Sequence, residues 1–346
     1  MMAGTAAVAA LVDRYDAALF DLDGVVYLGP AAVPGAADGI ADLRARGKKL
    51  GFVTNNAARP PAVVADHLRT LSVEATEQDV VTSSQAAARM LVERFGSGAR
   101  VLIVGGDGII AALDEVGLVG VRSADDEPAA VIQGFSFDLT WDQINEAAIA
   151  IQRGAHWVAT NTDSTRPTDR GIVPGNGAAV AAVRMAVDVA PEVAGKPYRP
   201  LLDASIARLQ ASSPIFVGDR IDTDIVGACS AGIDSLFVLS GAHGPRQLLE
   251  AGPGERPTHL GADLRALLGP ERVVRLAADG ASCRAMSATI SGQEIALAGV
   301  PGTAEEALDA LWAITALAWR AADQGHAVNW VGVLAVITPV LAQASR

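Results

Sequence analysis

The chain has 346 residues, half of them hydrophobic and 19% charged, a composition that excludes a disordered polymer and predicts two or three packed domains. Its net charge of −12 argues against nucleic acid or an anionic membrane as partner, because both are bound through clustered Lys and Arg. An anionic ligand would need a locally positive site, made by a metal ion, a Lys or helix N-termini, against that field.

Aromatic residues make up only 4%, so the core has to be built from Ala, Val, Leu and Ile. Cys229 and Cys283 lie far apart and read as reduced thiols of a cytoplasmic protein, not as a disulfide framework. The apolar N-terminus, residues 1–12, lacks a basic region and runs into Asp13-Arg14-Tyr15-Asp16, so it does not read as a signal peptide. Residues 330–341 are apolar but fall short of the roughly 20 needed to span a bilayer, and Pro339 interrupts them. They read as a core strand or helix.

In chain order, residues 17–20 are a short apolar run ending in Asp21 and predict a buried strand. A helix follows Pro34-Gly35 and ends near Gly47. Residues 49–53 predict a second strand that ends in Thr54-Asn55-Asn56, with another helix after Pro60-Pro61. Strands alternating with helices at this spacing imply a parallel sheet covered on both faces. A second α/β block follows, with strands at 101–104, 130–133 and 156–159 and helices at 141–153 and 177–189. The first pattern then resumes with a helix at 201–210, a strand at 215–217, a helix at 223–231 and a strand at 234–239. One domain is thus read as inserted into another: a core of residues 13–84 and 190–268, and an insertion of residues 85–189.

Beyond residue 269 the pattern changes to short strands at 272–277, 283–290 and 294–298, with Gly280-Ala281 and Ser291-Gly292 as turns. Thr303 reads as the N-cap of a helix reaching Ala321, with Glu305 and Glu306 favourably placed in its first turn. Leu308, Leu311, Trp312 and Leu317 on that helix read as a core face, and residues 328–337 as a last strand. Residues 269–346 form a small α+β appendage on this reading.

Three strand ends carry polar residues, which is where an open α/β sheet binds ligands. At the first, Asp21-Leu22-Asp23-Gly24, two carboxylates two residues apart on extended backbone point the same way. One is placed to act as nucleophile while the other exchanges a proton with a leaving group. The buried strand before them separates this arrangement from a calcium loop. At the second, Thr54-Asn55-Asn56 offers a hydroxyl, an amide and backbone N–H groups to phosphate oxygens, although taken alone it reads first as ordinary capping of the helix after Pro60-Pro61. At the third, Gly218-Asp219-Arg220-Ile221-Asp222-Thr223-Asp224 crowds carboxylates that a divalent cation would relieve, while Asp222 or Thr223 is assigned to helix capping. Lys196 sits between Gly195 and Pro197. The five histidines, His67, His156, His243, His259 and His326, show no metal-ligand spacing. Gly105-Gly106-Asp107-Gly108 reads as a strand-to-helix turn, and Gly175-Asn176-Gly177 either as another or as a pair of N–H donors for phosphate.

The order DLDGVVY at 21–27, Thr54-Asn55-Asn56, ATNTD at 159–163, Gly195-Lys196-Pro197 and GDRIDTDI at 218–225 resembles the haloacid dehalogenase (HAD) superfamily. It is most similar to the branch of NagD-like and 4-nitrophenyl phosphatases and of phosphoglycolate and glycerol-3-phosphate phosphatases, over about residues 13–268. The resemblance implies a Rossmann-like parallel core with an inserted α/β cap of the larger, C2 type. It also implies Asp21 as the nucleophile that takes up a phosphoryl group and Asp23 as general acid, then base. Gly24, Thr54, Asn55, Asn56 and Lys196 would hold the phosphate, and Asn161, Thr162 and Asp163 would face the substrate. Mg²⁺ would be bound by Asp21, the Asp23 carbonyl and Asp219, with Asp224 acting through bound water or Lys196.

The expected function is a Mg²⁺-dependent phosphomonoesterase acting on a small cytoplasmic metabolite, glycerol 3-phosphate or 2-phosphoglycolate. The preference for a small substrate rests on the branch and on the lack of an aromatic cluster in the insertion to stack a ring. Nucleotide monophosphates, pyridoxal phosphate and phosphotransfer to a sugar are the alternatives. A different class, a binding or regulatory protein, is kept open by the appendage. Neither nucleic acid nor membrane is expected as a partner, and a homo-oligomer is allowed through the cap or the appendage.

Overall fold

The computed structural model describes residues 9–168 and 170–342, so most of the apolar N-terminal stretch lies outside the described residues. The chain divides into two compact units, residues 1–50 with 211–346, and residues 51–210.

In the first unit the strands Ala17–Phe20, Pro214–Gly218, Asp234–Val238 and His259–Gly261 lie side by side in that order, all parallel. Ala17, Ala18, Leu19 and Phe20 are all fully buried, as a strand covered on both faces requires. The register pairs Phe20 with Val217, and Asp21 N–H donates to Val217 O at 2.9 Å. The chain ends that carry Asp21 and Asp219 therefore leave the sheet as neighbours.

The C-terminal part of this unit is an antiparallel sheet of Val274–Ala277, Gly280–Cys283, Met286–Ser291 and Glu294–Leu297, followed by helices Ala304–Asp323 and Val331–Leu341. Thr303 caps the longer helix as expected: its Oγ1 accepts from Glu306 N–H at 3.2 Å while Glu306 accepts from Thr303 N–H at 3.2 Å. Two expectations fail here. Gly280-Ala281 is not a turn but lies in a strand, the turn falling at Ala278-Asp279. Small residues stand there because Ala281 is buried in the cluster beneath the long helix. Residues 328–337 are not a strand: Val333, Ile337 and Leu341 are buried at four-residue spacing on a helix. A continuous apolar run carries no periodicity that separates the two.

Leu308, Leu311, Trp312 and Leu317 do form a core face, and that core is shared with Phe237 and Leu260 of the parallel sheet, with Leu248 of the short helix Pro245–Glu250, and with Ile221 and Ile225. Trp319 Nε1–H donates to Leu248 O at 3.0 Å, and Arg256 meets both oxygens of Asp323 at 2.7 Å while lying over the Trp319 ring. The C-terminal segment is thus packed into this unit as one hydrophobic body.

The second unit holds a five-stranded parallel sheet in the order Glu192–Val193, His156–Ala159, Ala130–Gln133, Arg100–Val104, Val119–Val121. Lys49–Thr54 runs into this unit and pairs parallel with Val80–Thr82. Thr82 and Thr140 open helices Ser83–Phe95 and Trp141–Gln152 with capping boxes completed by Gln85 and Gln143. A two-stranded hairpin, Thr165–Thr168 with Gly171–Pro174, stands apart from that sheet. Among the described residues no helix is long and apolar enough to cross a membrane, and Cys229 and Cys283 are free thiols.

Beneath the first unit's sheet, Tyr15 Oη donates to Asp234 at 2.6 Å and meets His259 Nε2 at 2.8 Å, while Glu271 lies 3.4 Å from His259 Nδ1. Burial depresses the His259 pKa below its ordinary 6.5, against the opposing pull of Glu271 and Asp234. The unfolded chain therefore takes up a proton there before the folded one does. Its contribution to stability is fully present above pH 6.5 and is lost as the pH falls through the lower, folded value. Denaturant titrations at pH 7.5 and pH 5.5 are expected to show this loss, and His259→Gln is expected to reduce it. An unchanged pH dependence in the variant contradicts the assignment.

Candidate active site

Asp21, Asp219 and Asp224 are all buried, and one ligand oxygen from each lies within 4.8 Å of the others. Asp21 follows its strand directly, and Asp219 follows Gly218. Asp224 sits on a π-helical turn, Ile221–Ile225, that leads into helix Val226–Ala231. Such turns are rare and concentrate at functional sites. Here the turn points the Asp224 carboxylate back at the strand end, where Oδ2 accepts from the N–H groups of both Asp219 and Arg220 at 3.1 Å.

The expected cap by Asp222 or Thr223 is not formed: Arg220 stands at the N-cap with no side-chain capping bond, and Asp224 accepts from the N–H groups of Asp219 and Arg220, which precede the turn. Asp222 instead takes the Arg220 guanidinium at 2.7 and 3.1 Å. Burial acts to raise the Asp222 pKa, but the Arg220 guanidinium outweighs it and holds the carboxylate below its ordinary value. Burial also lowers the His243 pKa, which suits its neutral Nδ1 accepting from Ile221 N–H at 2.9 Å.

A loop absent from the sequence reading completes the surroundings. Ser240 Oγ donates to Gly24 O at 2.7 Å, and Ala242 N–H donates to Asp219 Oδ2 at 2.5 Å. Short glycine- and serine-rich loops resemble ordinary turns in sequence, so nothing there signalled this role. Gly24 has φ +88°, and a Cβ on it would stand 2.3 Å from Asp219 Oδ2; one on Gly241 would stand 2.0 Å away. Asp219 is therefore cradled against bare backbone on two sides. Hard carboxylate oxygens this close together fit a divalent cation such as Mg²⁺, whose ligands lie about 4 Å or less from one another. Asp23 is exposed and its carboxylate stands outside this trio.

The other predicted residues lie in the second unit. Thr54 is buried and its Oγ1 accepts from Asn56 N–H at 3.1 Å; exposed Asn56 turns its own Oδ1 to Ala58 N–H at 2.9 Å. Lys196 is only 2% exposed, and the Asn55 amide grips its backbone from both sides. Lys196 N–H donates to Asn55 Oδ1 at 2.8 Å, and Asn55 Nδ2 donates to Lys196 O at 3.0 Å. The same Nδ2 reaches Asp163 Oδ2 at 3.2 Å. Asn161 is buried, with Nδ2 on Asn55 O at 2.7 Å and Oδ1 on Asp163 N–H at 3.1 Å. Thr162 is partly exposed beside them. The structure thus brings Asn55, Asn161, Asp163 and Lys196 into one cluster and gives the Asn55 and Asn161 amides protein partners.

Two further expectations change. Gly175 and Gly177 do not offer N–H groups to a phosphate, since they donate to Ser164 O and Asp163 O at 2.9 Å each. The insertion does contain an aromatic pair: Phe135 and Phe137 meet edge to face at 5.1 Å, with the Arg166 guanidinium 4.6 and 5.1 Å from their centroids. The low aromatic count conveyed scarcity, and the strand end and hairpin that gather these side chains were not visible in it.

The cradle yields a direct test. Gly24→Ala is expected to push the Asp219 carboxylate aside, so the rise in melting temperature that MgCl₂ gives the unmodified protein should be lost. An undiminished rise in the variant rejects Asp219 as a cation ligand.

Comparison with known proteins agrees with this geometry. Residues 18–119 match the family model of haloacid dehalogenase-like hydrolases, and residues 193–267 match that of HAD-hydrolase-like proteins. The chain is 45% identical over 267 residues to a D-glycerol 3-phosphate phosphatase of Mycobacterium tuberculosis, covering 77% of this chain and 75% of that one. It is 34% identical over 248 residues to the 5'-nucleotidase YutF of Bacillus subtilis, covering 71% and 94%. Among solved structures, the glycerol phosphate phosphatase of M. tuberculosis in complex with magnesium superimposes with a TM-score of 0.83 at 38% identity, covering 90% of this chain and 93% of that one. A p-nitrophenyl phosphatase from Archaeoglobus fulgidus gives 0.68 at 25% identity, covering 74% and 98%. The chain belongs to the haloacid dehalogenase-like hydrolases and is a phosphatase of that family.

Proposed function

We propose that this phosphatase hydrolyses glycerol 3-phosphate with Mg²⁺, through an aspartyl-phosphate on Asp21. The observation that carries the substrate choice is the extent of the likeness. The glycerol phosphate phosphatase matches 90% of this chain and so reaches into the C-terminal segment, whereas the nitrophenyl phosphatase matches 74%.

In this reading an Asp21 oxygen attacks phosphorus and the bond to the glycerol oxygen breaks. Asp23 gives its proton to that departing oxygen. It then takes a proton from water, which attacks the aspartyl-phosphate, releases phosphate and restores the Asp21 carboxylate. The contrast between buried Asp21 and exposed Asp23 suits a fixed nucleophile and an acid that re-equilibrates with solvent. A Mg²⁺ held by Asp21, the Asp23 carbonyl and Asp219, with Asp224 beside them, would neutralise phosphoryl charge. Thr54 and Lys196 donate to the transferring oxygens, with Lys196 adding local positive charge against the field of a −12 protein. Residues 85–189 act as the cap that selects the substrate, and Arg166, lying over the rings of Phe135 and Phe137, offers N–H donors to a polar or anionic substituent. The free thiols Cys229 and Cys283 suit a cytoplasmic setting.

A second reading, a nucleotide monophosphate, is favoured by the Phe135–Phe137 pair and by the 34% identity to a 5'-nucleotidase. Phosphate release measured on glycerol 3-phosphate, 2-phosphoglycolate, UMP and pyridoxal phosphate, with Mg²⁺ and with EDTA, separates the two. Glycerol 3-phosphate is expected to give the highest kcat/KM, with all activity lost in EDTA. A preference for UMP replaces the substrate assignment while leaving the chemistry standing. Asp21→Asn is expected to lower kcat by at least about 10³-fold with the melting temperature preserved, and residual turnover close to the unmodified rate rejects Asp21 as nucleophile.

A further inference from the structure

The core of the five-stranded half is lined by Val104, Val131, Ile144, Trp157 and Val180, yet Gln133, Thr160, Asn161 and Asn176 are also buried there, none more than 4% exposed. Gln133 Nε2, Thr160 Oγ1 and Asn176 Oδ1 have no hydrogen-bond partner among the described residues. Such atoms lower stability, so a packing role alone would be better served by apolar side chains. One atom of the group does something no apolar side chain can. Asn176 Nδ2 donates to Asn161 O at 2.7 Å, with Gln133 O at 3.4 Å.

From there the hydrogen bonds run unbroken. Asn161 Nδ2 donates to Asn55 O at 2.7 Å, and the Asn55 amide closes on both backbone groups of Lys196 at 2.8 and 3.0 Å. The two Lys196 groups, one donor and one acceptor, also fix which way the Asn55 amide faces. We propose that Asn176, on the first turn of helix Asn176–Arg184, is a positioning residue for Lys196, acting through Asn161 and Asn55. This inference rests on the reading of Lys196 as a phosphoryl-binding cation. The Lys196 ammonium is aimed by its backbone, and a displacement of about 1 Å at such a group is enough to cost on the order of 10²-fold in rate. Asn176 is thereby separated from the substrate by three residues, Asn161, Asn55 and Lys196, yet tied to the transferring phosphoryl group.

The test is a double-mutant cycle with 4-nitrophenyl phosphate and saturating Mg²⁺. Asn176→Asp keeps the shape and replaces the donor with a group that repels Asn161 O. It is expected to lower kcat/KM by about tenfold or more, with helical content intact by circular dichroism. Placed in a Lys196→Ala background it is expected to change the remaining rate by less than about threefold, because the group it positions is already gone. Asn176→Ser, which fits the space and keeps a shorter donor, is expected to recover part of the loss. It also carries the same cycle should Asn176→Asp not fold. Equal losses in both backgrounds, or unmodified turnover in Asn176→Asp, overturn the inference. Lys196→Ala turning over as fast as the unmodified enzyme overturns the Lys196 reading instead, a result visible before any Asn176 variant is made.

Discussion

Three carboxylates brought within a few ångströms in a buried place repel one another, and much of the first unit's design answers that repulsion. Asp21, Asp219 and Asp224 are the only such group among the described residues. Two parallel strands set the first two side by side, since Phe20 is in register with Val217. The π-helical turn turns the third inward, and backbone N–H groups of Asp219, Arg220 and Ala242 donate to the carboxylates. Glycines on either side of Asp219 keep out any side chain that would fill the approach. A hard divalent cation completes this arrangement because it supplies the positive charge that backbone dipoles only approximate.

The second unit solves a related problem with neutral groups. Lys196 is 2% exposed, so its stem is enclosed and the placing of its backbone decides where its ammonium lies. The Asn55 amide holds that backbone with one acceptor and one donor on the two sides of a single residue. The polar cluster behind it accepts a cost in stability that an apolar core would avoid.

The C-terminal segment has a plainer physical role in the fold. Helix Ala304–Asp323 joins the antiparallel sheet to the parallel one through one hydrophobic cluster, and Ile221 and Ile225 of the π-helical turn belong to it. Ile221 and Ile225 of the turn that carries Asp224 thus share a core with residues contributed after position 300.

What the sequence by itself determined was where polar residues stand at strand ends: Asp21 and Asp23, Thr54, and Asp219 with Asp224 were legible because short apolar runs end in them, while Lys196 was singled out only by the order of motifs shared with the family. The parallel strands and the Thr303 helix were legible for the same reason, that local pattern and local capping agree. The sequence did not determine which amide serves a ligand and which serves another residue. Asn55, Asn56, Asn161 and Asn176 carry the same functional group, and only their long-range neighbours distinguish them. Nor did it separate helix from strand in residues 331–341, where every position is apolar or small, or locate the Ser240–Ala242 loop beside Asp219. Those choices belong to tertiary structure, because a hydrogen bond between residues more than 100 positions apart leaves no periodicity in the chain that makes it.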